Sequence, residues 1–243
     1  MRSHVVMGAL LIIALFLLMI ALQQVAYARV SVRNMKLFQQ WVRTHVYGDG
    51  NVLSYTVEWY YARGYVSGNP RYYWAVYVRI IPDAAPSSDD EKWYVHDFKA
   101  AFKDLSGSLS VYDINPGNPL GCVNSWSGGV SASASMSPDG PTVNIGISYT
   151  VSGNFYSLSV EPRGTYPKTL WVYKPCSIVY DSAGKAGSAA MYMATSSTAI
   201  KVENYVGATY YEDVKECFLF YCWWSLKEIH GHEHVWYVTL SPP

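Results

Sequence analysis

The feature that most restricts the fold of this chain is a period of two. In Val52 to Tyr61, Leu53, Tyr55, Val57, Trp59 and Tyr61 fall on one side of an extended backbone, and Ser54, Thr56, Glu58 and Tyr60 on the other. Side chains at i and i+2 share a face only in a strand. Arg71 to Ile80 repeats the pattern: Tyr72, Trp74, Val76, Val78 and Ile80 oppose Arg71, Tyr73, Ala75, Tyr77 and Arg79. Ser67-Gly68-Asn69-Pro70 breaks the chain between them, which predicts an antiparallel hairpin of two half-buried strands.

The alternation is clearest further on. Val130, Ala132, Ala134 and Met136 interleave with Ser131, Ser133 and Ser135; Ser137-Pro138-Asp139-Gly140 reads as a turn. Val143, Ile145, Ile147, Tyr149 and Val151 then interleave with Thr142, Asn144, Gly146, Ser148 and Thr150. With Tyr156, Leu158 and Val160 this predicts a three-stranded meander with one apolar and one hydroxyl face. Asp113 and Asp139 are the only charges between Leu105 and Val160. Charge is the usual defence of strands against unwanted pairing. Its absence marks Ser131, Ser133, Ser135, Thr142, Asn144, Ser148 and Thr150 as a candidate contact surface.

About ten short strands separated by turns predict an all-β fold, mainly an antiparallel β-sandwich. One or two short helices are expected beside them. Asn34 is placed to cap one running to about Tyr47, with Met35, Phe38, Trp41, Val42 and His45 at helical spacing. Asp97 is placed to cap another, with Phe98, Phe102 and Leu105 on one face. Cys217 to Leu226 is apolar on both faces, which fits a central strand or a buried helix.

The first 28 residues read as a targeting segment. Arg2 and His4 precede an apolar run from Val5 to Leu22, and Ala26-Tyr27-Ala28 supplies a small-x-small cleavage site at Ala26 and Ala28. At about 1.5 Å per residue the run reaches about 27 Å, enough for an uncleaved membrane anchor as the alternative. Residues 29–243 are then one exported β-rich domain, secreted or held at the cell surface. The chain carries 18 basic and 18 acidic residues, so it lacks the electrostatic footprint of a nucleic-acid binder. The membrane enters this reading only through the N-terminal segment.

In an exported chain the four cysteines, Cys122, Cys176, Cys217 and Cys222, predict two disulfides. Cys217 and Cys222 lie about 16 Å apart if the segment between them is extended, and a disulfide needs Cα atoms within about 7 Å. The expected bonds therefore run from this pair to Cys122 and Cys176, unless the segment turns sharply. His230, His232 and His234 project to one side of an extended chain and form a candidate divalent-metal site. No other cofactor is expected. No nucleophile elbow, phosphate loop or dinucleotide fingerprint occurs, so no catalytic residue is assigned.

Three functional classes follow, in order of support. The first is an extracellular structural or binding protein, self-associating or adhesive, whose partners are copies of itself, other cell-surface proteins or glycans. The second is a secreted metal-dependent hydrolase built on the histidine cluster. The third is a secreted membrane-active, antagonistic protein that inserts the apolar Cys217 to Leu226 run.

Overall fold

The computed structural model describes residues 27–152, 157–164, 168–178, 180, 187–195, 197 and 199–241. Most of the targeting segment, including Ala26, lies outside them, whereas Ala28 sits in the first strand. Among the described residues the chain forms strands and no helix: β1 (Tyr27–Arg33), β2 (Lys36–Val46), β3 (Val52–Val66), β4 (Asn69–Asp83), β5 (Glu91–Asp104), β6 (Ser110–Asn115), β7 (Leu120–Val123), β8 (Ser125–Ser135), β9 (Thr142–Ser152), β10 (Leu158–Arg163), β11 (Lys168–Pro175), β12 (Gly187–Thr195), β13 (Ile200–Phe218) and β14 (Tyr221–Leu240). One sheet follows the order β1-β9-β8-β3-β4-β12-β6, with β2 also paired to β3; the second follows β14-β13-β5-β11-β10-β7.

The β3–β4 hairpin forms as the alternation predicts. Val66 pairs with Asn69 across Ser67 and Gly68, whose φ angles of 51° and 77° are both positive. That combination suits a two-residue turn of the type that matches strand twist. Leu53, Val57, Trp59, Trp74, Val76 and Val78 form one half of the main core, and Phe98, Phe102, Trp171, Tyr173, Val206 and Tyr210 of the second sheet form the other. The Trp59 and Phe102 rings meet edge to face at 5.8 Å. The polar ends of three of these rings have partners: Trp59 Nε1 donates to Asn204 Oδ1 at 3.0 Å, Trp171 Nε1 to the Pro116 carbonyl at 2.9 Å, and the Tyr210 hydroxyl to the Val52 carbonyl at 2.6 Å, whereas Trp74 Nε1 and the Tyr173 hydroxyl are buried without one among the described residues.

The expectation that these two strands are half-buried is corrected, because their other face is covered too. Tyr60, Ala62, Tyr73, Ala75 and Tyr77 pack against Val130, Ala134, Ile145, Ile147, Tyr149 and Val151. The β1–β9–β8 layer thus lies over the outer face of β3–β4. Its backbone joins β3 at a single register pair, Tyr65 with Ser135. The expected meander is corrected in one strand: β10 pairs with β11 and β7 in the other sheet, and β1 takes its place beside β9. Tyr156 lies outside the described residues.

Both predicted helices are strands. In β2 an irregularity between Leu37 and Gln39 shifts the register against β3, so Phe38 and Trp41 face the core three residues apart and imitate a helical stripe. In β5 Phe98 and Phe102 are four apart, a spacing that puts two residues on one face of a strand as well as of a helix.

The cysteine pairing is also corrected. Cys122 bonds Cys176, and Cys217 bonds Cys222 with Cα atoms 4.1 Å apart. The segment between the latter turns sharply, bringing β13 back as β14. By loop-closure entropy, the Cys122–Cys176 bond, whose ends are 54 residues apart in sequence, contributes about 4 kcal/mol, and the Cys217–Cys222 bond about half of that. Urea unfolding of Cys122→Ser and Cys217→Ser variants checks this: the first loses the larger share of stability, and the second loses about half as much.

Candidate functional site

The most unusual surface of the protein is the end of the β13–β14 hairpin. β13 is flanked by β5 only as far as Val214. The Lys215 amide still donates to the Asp90 carbonyl at 2.9 Å; beyond it β13 pairs with β14 alone, so the hairpin end stands off the sandwich by about 10 Å. Its outermost residues are Phe218, Leu219, Phe220 and Tyr221, exposed by 70%, 80%, 102% and 72%, with Trp223 exposed by 40%. The expectation of a central strand or a buried helix for this run is therefore overturned: the run is apolar on both faces because both faces are outside.

Three features hold this shape. The Cys217–Cys222 disulfide ties the two strands directly beneath the turn, at a register pair of the ladder. Leu219, the first residue of the two-residue turn, has a φ of 55°. A hairpin turn wants a positive φ there, but glycine or asparagine normally supplies it, and a bulky side chain adopts it at a cost. Retaining leucine at a strained position keeps the tip apolar, and such outliers cluster at functional sites. Below the tip the surface turns polar: Ser225 Oγ donates to Glu216 Oε1 at 2.6 Å, and Lys92 Nζ lies 4.2 Å from the Trp224 ring centroid.

Toward the base of the same hairpin lies the histidine cluster. His230, His232 and His234 take the inward side of β14, as the alternation predicts, each partly buried. Their nitrogen atoms do not converge on one point. His230 Nδ1 is 3.1 Å and His232 Nε2 is 2.9 Å from the same Asp49 Oδ2, while His234 Nε2 is 2.7 Å from the Tyr47 hydroxyl. The rings stack outward in turn: His232 on Tyr47 at 3.5 Å, and His234 on His45 at 3.8 Å. Of the three, His230 alone approaches a group of donors, with Glu212 and Glu228, whose ligand atoms all lie within 4.8 Å of its own. The Asp49 carboxylate, on the turn between β2 and β3, had no sequence signal beyond its Gly-Asp-Gly turn. Glu212, opposite Glu228 in the ladder, had none at all.

The electrostatics follow from this packing. Burial works to raise the Asp49 carboxyl, but the Asn51 amide and His232 outweigh it and hold the group below its ordinary value. Burial, with Tyr55 and Asp49 nearby, pushes the Tyr47 hydroxyl up to about 12. His234 is shifted down, first by burial and then by His45 and His232.

The hydroxyl surface is as expected. Ser131, Ser133, Thr142, Asn144, Ser148 and Thr150 are exposed and Ser135 is partly so, all on the outer side of β8 and β9. Ser133 Oγ donates to Asn144 Oδ1 across the two strands at 2.8 Å. All four cysteines are in disulfides, so no free thiol is present. Among the described residues no helix is long and apolar enough to cross a membrane.

His234 Nε2 shares a hydrogen bond with the Tyr47 hydroxyl in a partly buried site that disfavours the charged ring. Because its folded pKa is depressed, the unfolded chain binds the proton first, and this contribution to stability fades as pH falls from the ordinary histidine value of about 6.5 through the folded pKa. Asp49 acts in the same sense at lower pH, since its stabilising ionised form is lost on acidification. Thermal melts of the native chain and of His234→Gln across pH 7.5 to 5 are expected to converge toward acid, with the native chain losing more.

A scan of protein-family models finds no match, and a search of curated proteins finds no relative. Comparison with solved structures does find similar folds. Clostridium perfringens delta-toxin superposes with a TM-score of 0.55 at 10% identity, over 87% of this chain and 94% of the toxin. A structure described as a pore forming protein superposes with a TM-score of 0.55 at 8% identity, over 88% of this chain and 96% of its own. At these identities the likeness is one of fold: this all-β architecture is shared with the delta-toxin and with the pore forming protein.

Proposed function

We propose that this protein is an exported, membrane-active protein that docks on a bilayer through the Phe218–Trp223 tip and permeabilises it with the β8–β9 hairpin. The observation that carries the reading is the tip: four consecutive apolar side chains stand clear of the fold on a disulfide-closed turn. Water gains nothing from such a surface, and a lipid interface does. Burying Leu219 and Phe220 alone contributes on the order of 3–6 kcal/mol. Tyr221 and Trp223 bring the amphipathic rings that favour the headgroup level. The shared architecture with a toxin and with a pore forming protein supports the same reading.

The spanning part requires strands, and β8 and β9 have the composition for it. Each is 11 residues long, close to the 9–11 that cross a bilayer as a tilted strand. Val130, Ala132 and Ala134, with Val143, Ile145, Ile147, Tyr149 and Val151, suit a lipid-facing side. The hydroxyl residues between them suit a wet lumen. The one charge in this stretch, Asp139, lies in the turn between the strands. A hairpin supplies two strands and the smallest membrane barrels need about eight, so several copies must combine. Self-association, read from the uncharged hydroxyl face, is therefore part of the function rather than an alternative to it.

Two measurements test the reading. Phe220→Asp is expected to weaken binding to lipid vesicles by about 100-fold or more while leaving the melting temperature unchanged. Wild-type affinity in this variant would remove the tip from the mechanism. Cysteines at the facing positions Tyr65 and Ser135 are expected, once oxidised, to hold β8 against β3. Dye release should then stop while vesicle binding persists, and release undiminished in the cross-linked protein would exclude β8–β9 as the inserting hairpin.

A further inference from the structure

His230 stands in an arrangement that needs a positive centre. Its Nδ1 lies 3.1 Å from Asp49 Oδ2, the carboxylate oxygen nearest to the ring, which favours the proton on that nitrogen. The opposite nitrogen, Nε2, then presents a lone pair. That atom is buried and has no hydrogen-bond partner among the described residues. It faces Glu212 Oε2 at 3.5 Å and Glu228 Oε2 at 3.8 Å. A lone pair and two carboxylate oxygens so close repel one another unless a cation lies between them. The Glu212 side chain is 5% exposed, so water screens little of that repulsion.

We infer that His230, Glu212 and Glu228 form a divalent-cation site of zinc-like character at the root of the tip hairpin. The donor set of one imidazole nitrogen and two carboxylate oxygens is one that zinc takes, with water in the fourth position. Ligands at about 2.0–2.1 Å from a tetrahedral zinc lie about 3.4 Å apart; the imidazole nitrogen is 3.5 and 3.8 Å from the two carboxylate oxygens, and all three atoms lie within 4.8 Å of one another. Asp49 plays the outer role: a carboxylate on the far nitrogen fixes the tautomer and the ring orientation of a metal-bound histidine. Lys227, 2.8 Å from Glu212 Oε1, holds the other oxygen of that carboxylate and leaves Oε2 for the ion. The site joins β13 to β14 six residues below Phe218, and through Asp49 it reaches the β2–β3 turn. The ion therefore stiffens the base of the projecting hairpin. This assignment is independent of the membrane reading.

The test is calorimetric titration of zinc into the full chain, purified without a histidine tag, stripped with chelator and held at pH 7.5. One ion per chain is expected, with the melting temperature rising by about 5–10 °C at a hundredfold excess over Kd. Calcium and magnesium, which do not favour a nitrogen donor, should bind at least about tenfold more weakly. Glu228→Gln, at an exposed side chain that folding does not require, should weaken zinc at least about tenfold. His234→Ala, outside the proposed ligand set, should leave zinc affinity within about twofold. No zinc binding at 100-fold excess over protein, or equal loss in Glu228→Gln and His234→Ala, would overturn the assignment. The first outcome means that a proton alone fills the site, and the second that the histidine row binds the ion instead.

Discussion

The double burial of the β3–β4 hairpin places everything else in this protein. Its two faces carry different chemistry. One face presents Trp59, Trp74, Val76 and Val78 to the second sheet and forms the permanent core. The other presents Tyr60, Tyr73 and Tyr77 to β8 and β9. Tyrosine offers an apolar ring and a polar end. Here the ends are occupied within the body itself: the Tyr60 hydroxyl donates to Glu58 Oε2, and the Tyr77 hydroxyl shares a hydrogen bond with Ser188 Oγ at 3.1 Å. One face thus behaves as an interior, while the other is an interior that tolerates water.

Period two made the fold class legible, because it is the direct signature of a pleated backbone. It carried the β3–β4 hairpin, the turn at Ser137–Gly140 and the alternation of β8 and β9. It failed where a strand departs from strict alternation or where two periods coincide. The bulge in β2 spaces Phe38 and Trp41 like a helix, and Phe98 and Phe102 sit four apart, which both structures allow. Sheet membership was not legible, since β10 alternates equally well beside β9 or beside β11. What decides it is the long-range pairing, together with the Cys122–Cys176 bond that ties β7 to the end of β11.

For the candidate site the residue types were readable and their surroundings were not. The common side of His230, His232 and His234 follows from the strand period. Their separate engagement with Asp49 and Tyr47 depends on the β2–β3 turn, roughly 180 residues away in sequence. The apolar run at Cys217 to Leu226 was visible, but hydrophobicity alone argues for burial. The opposite outcome rests on Leu219 accepting a positive φ and on two cysteines five apart closing on each other. Neither is a feature that composition or spacing reports.

The single backbone junction between β8 and β3 sets the terms of exchange between two environments. Most other backbone hydrogen bonds of β8 and β9 are internal to that pair or shared with β1, so separating the hairpin from the body leaves most of its own ladder intact. What separation gives up is apolar contact with tyrosine rings, together with the bonds of the Tyr149 hydroxyl to the Asn115 carbonyl and Oδ1 and of the Asn34 amide to the Asn144 carbonyl. On the proposed function, insertion exchanges one apolar surrounding for another, the tyrosine face of the protein for a bilayer, and a tip that brings lipid close favours that exchange.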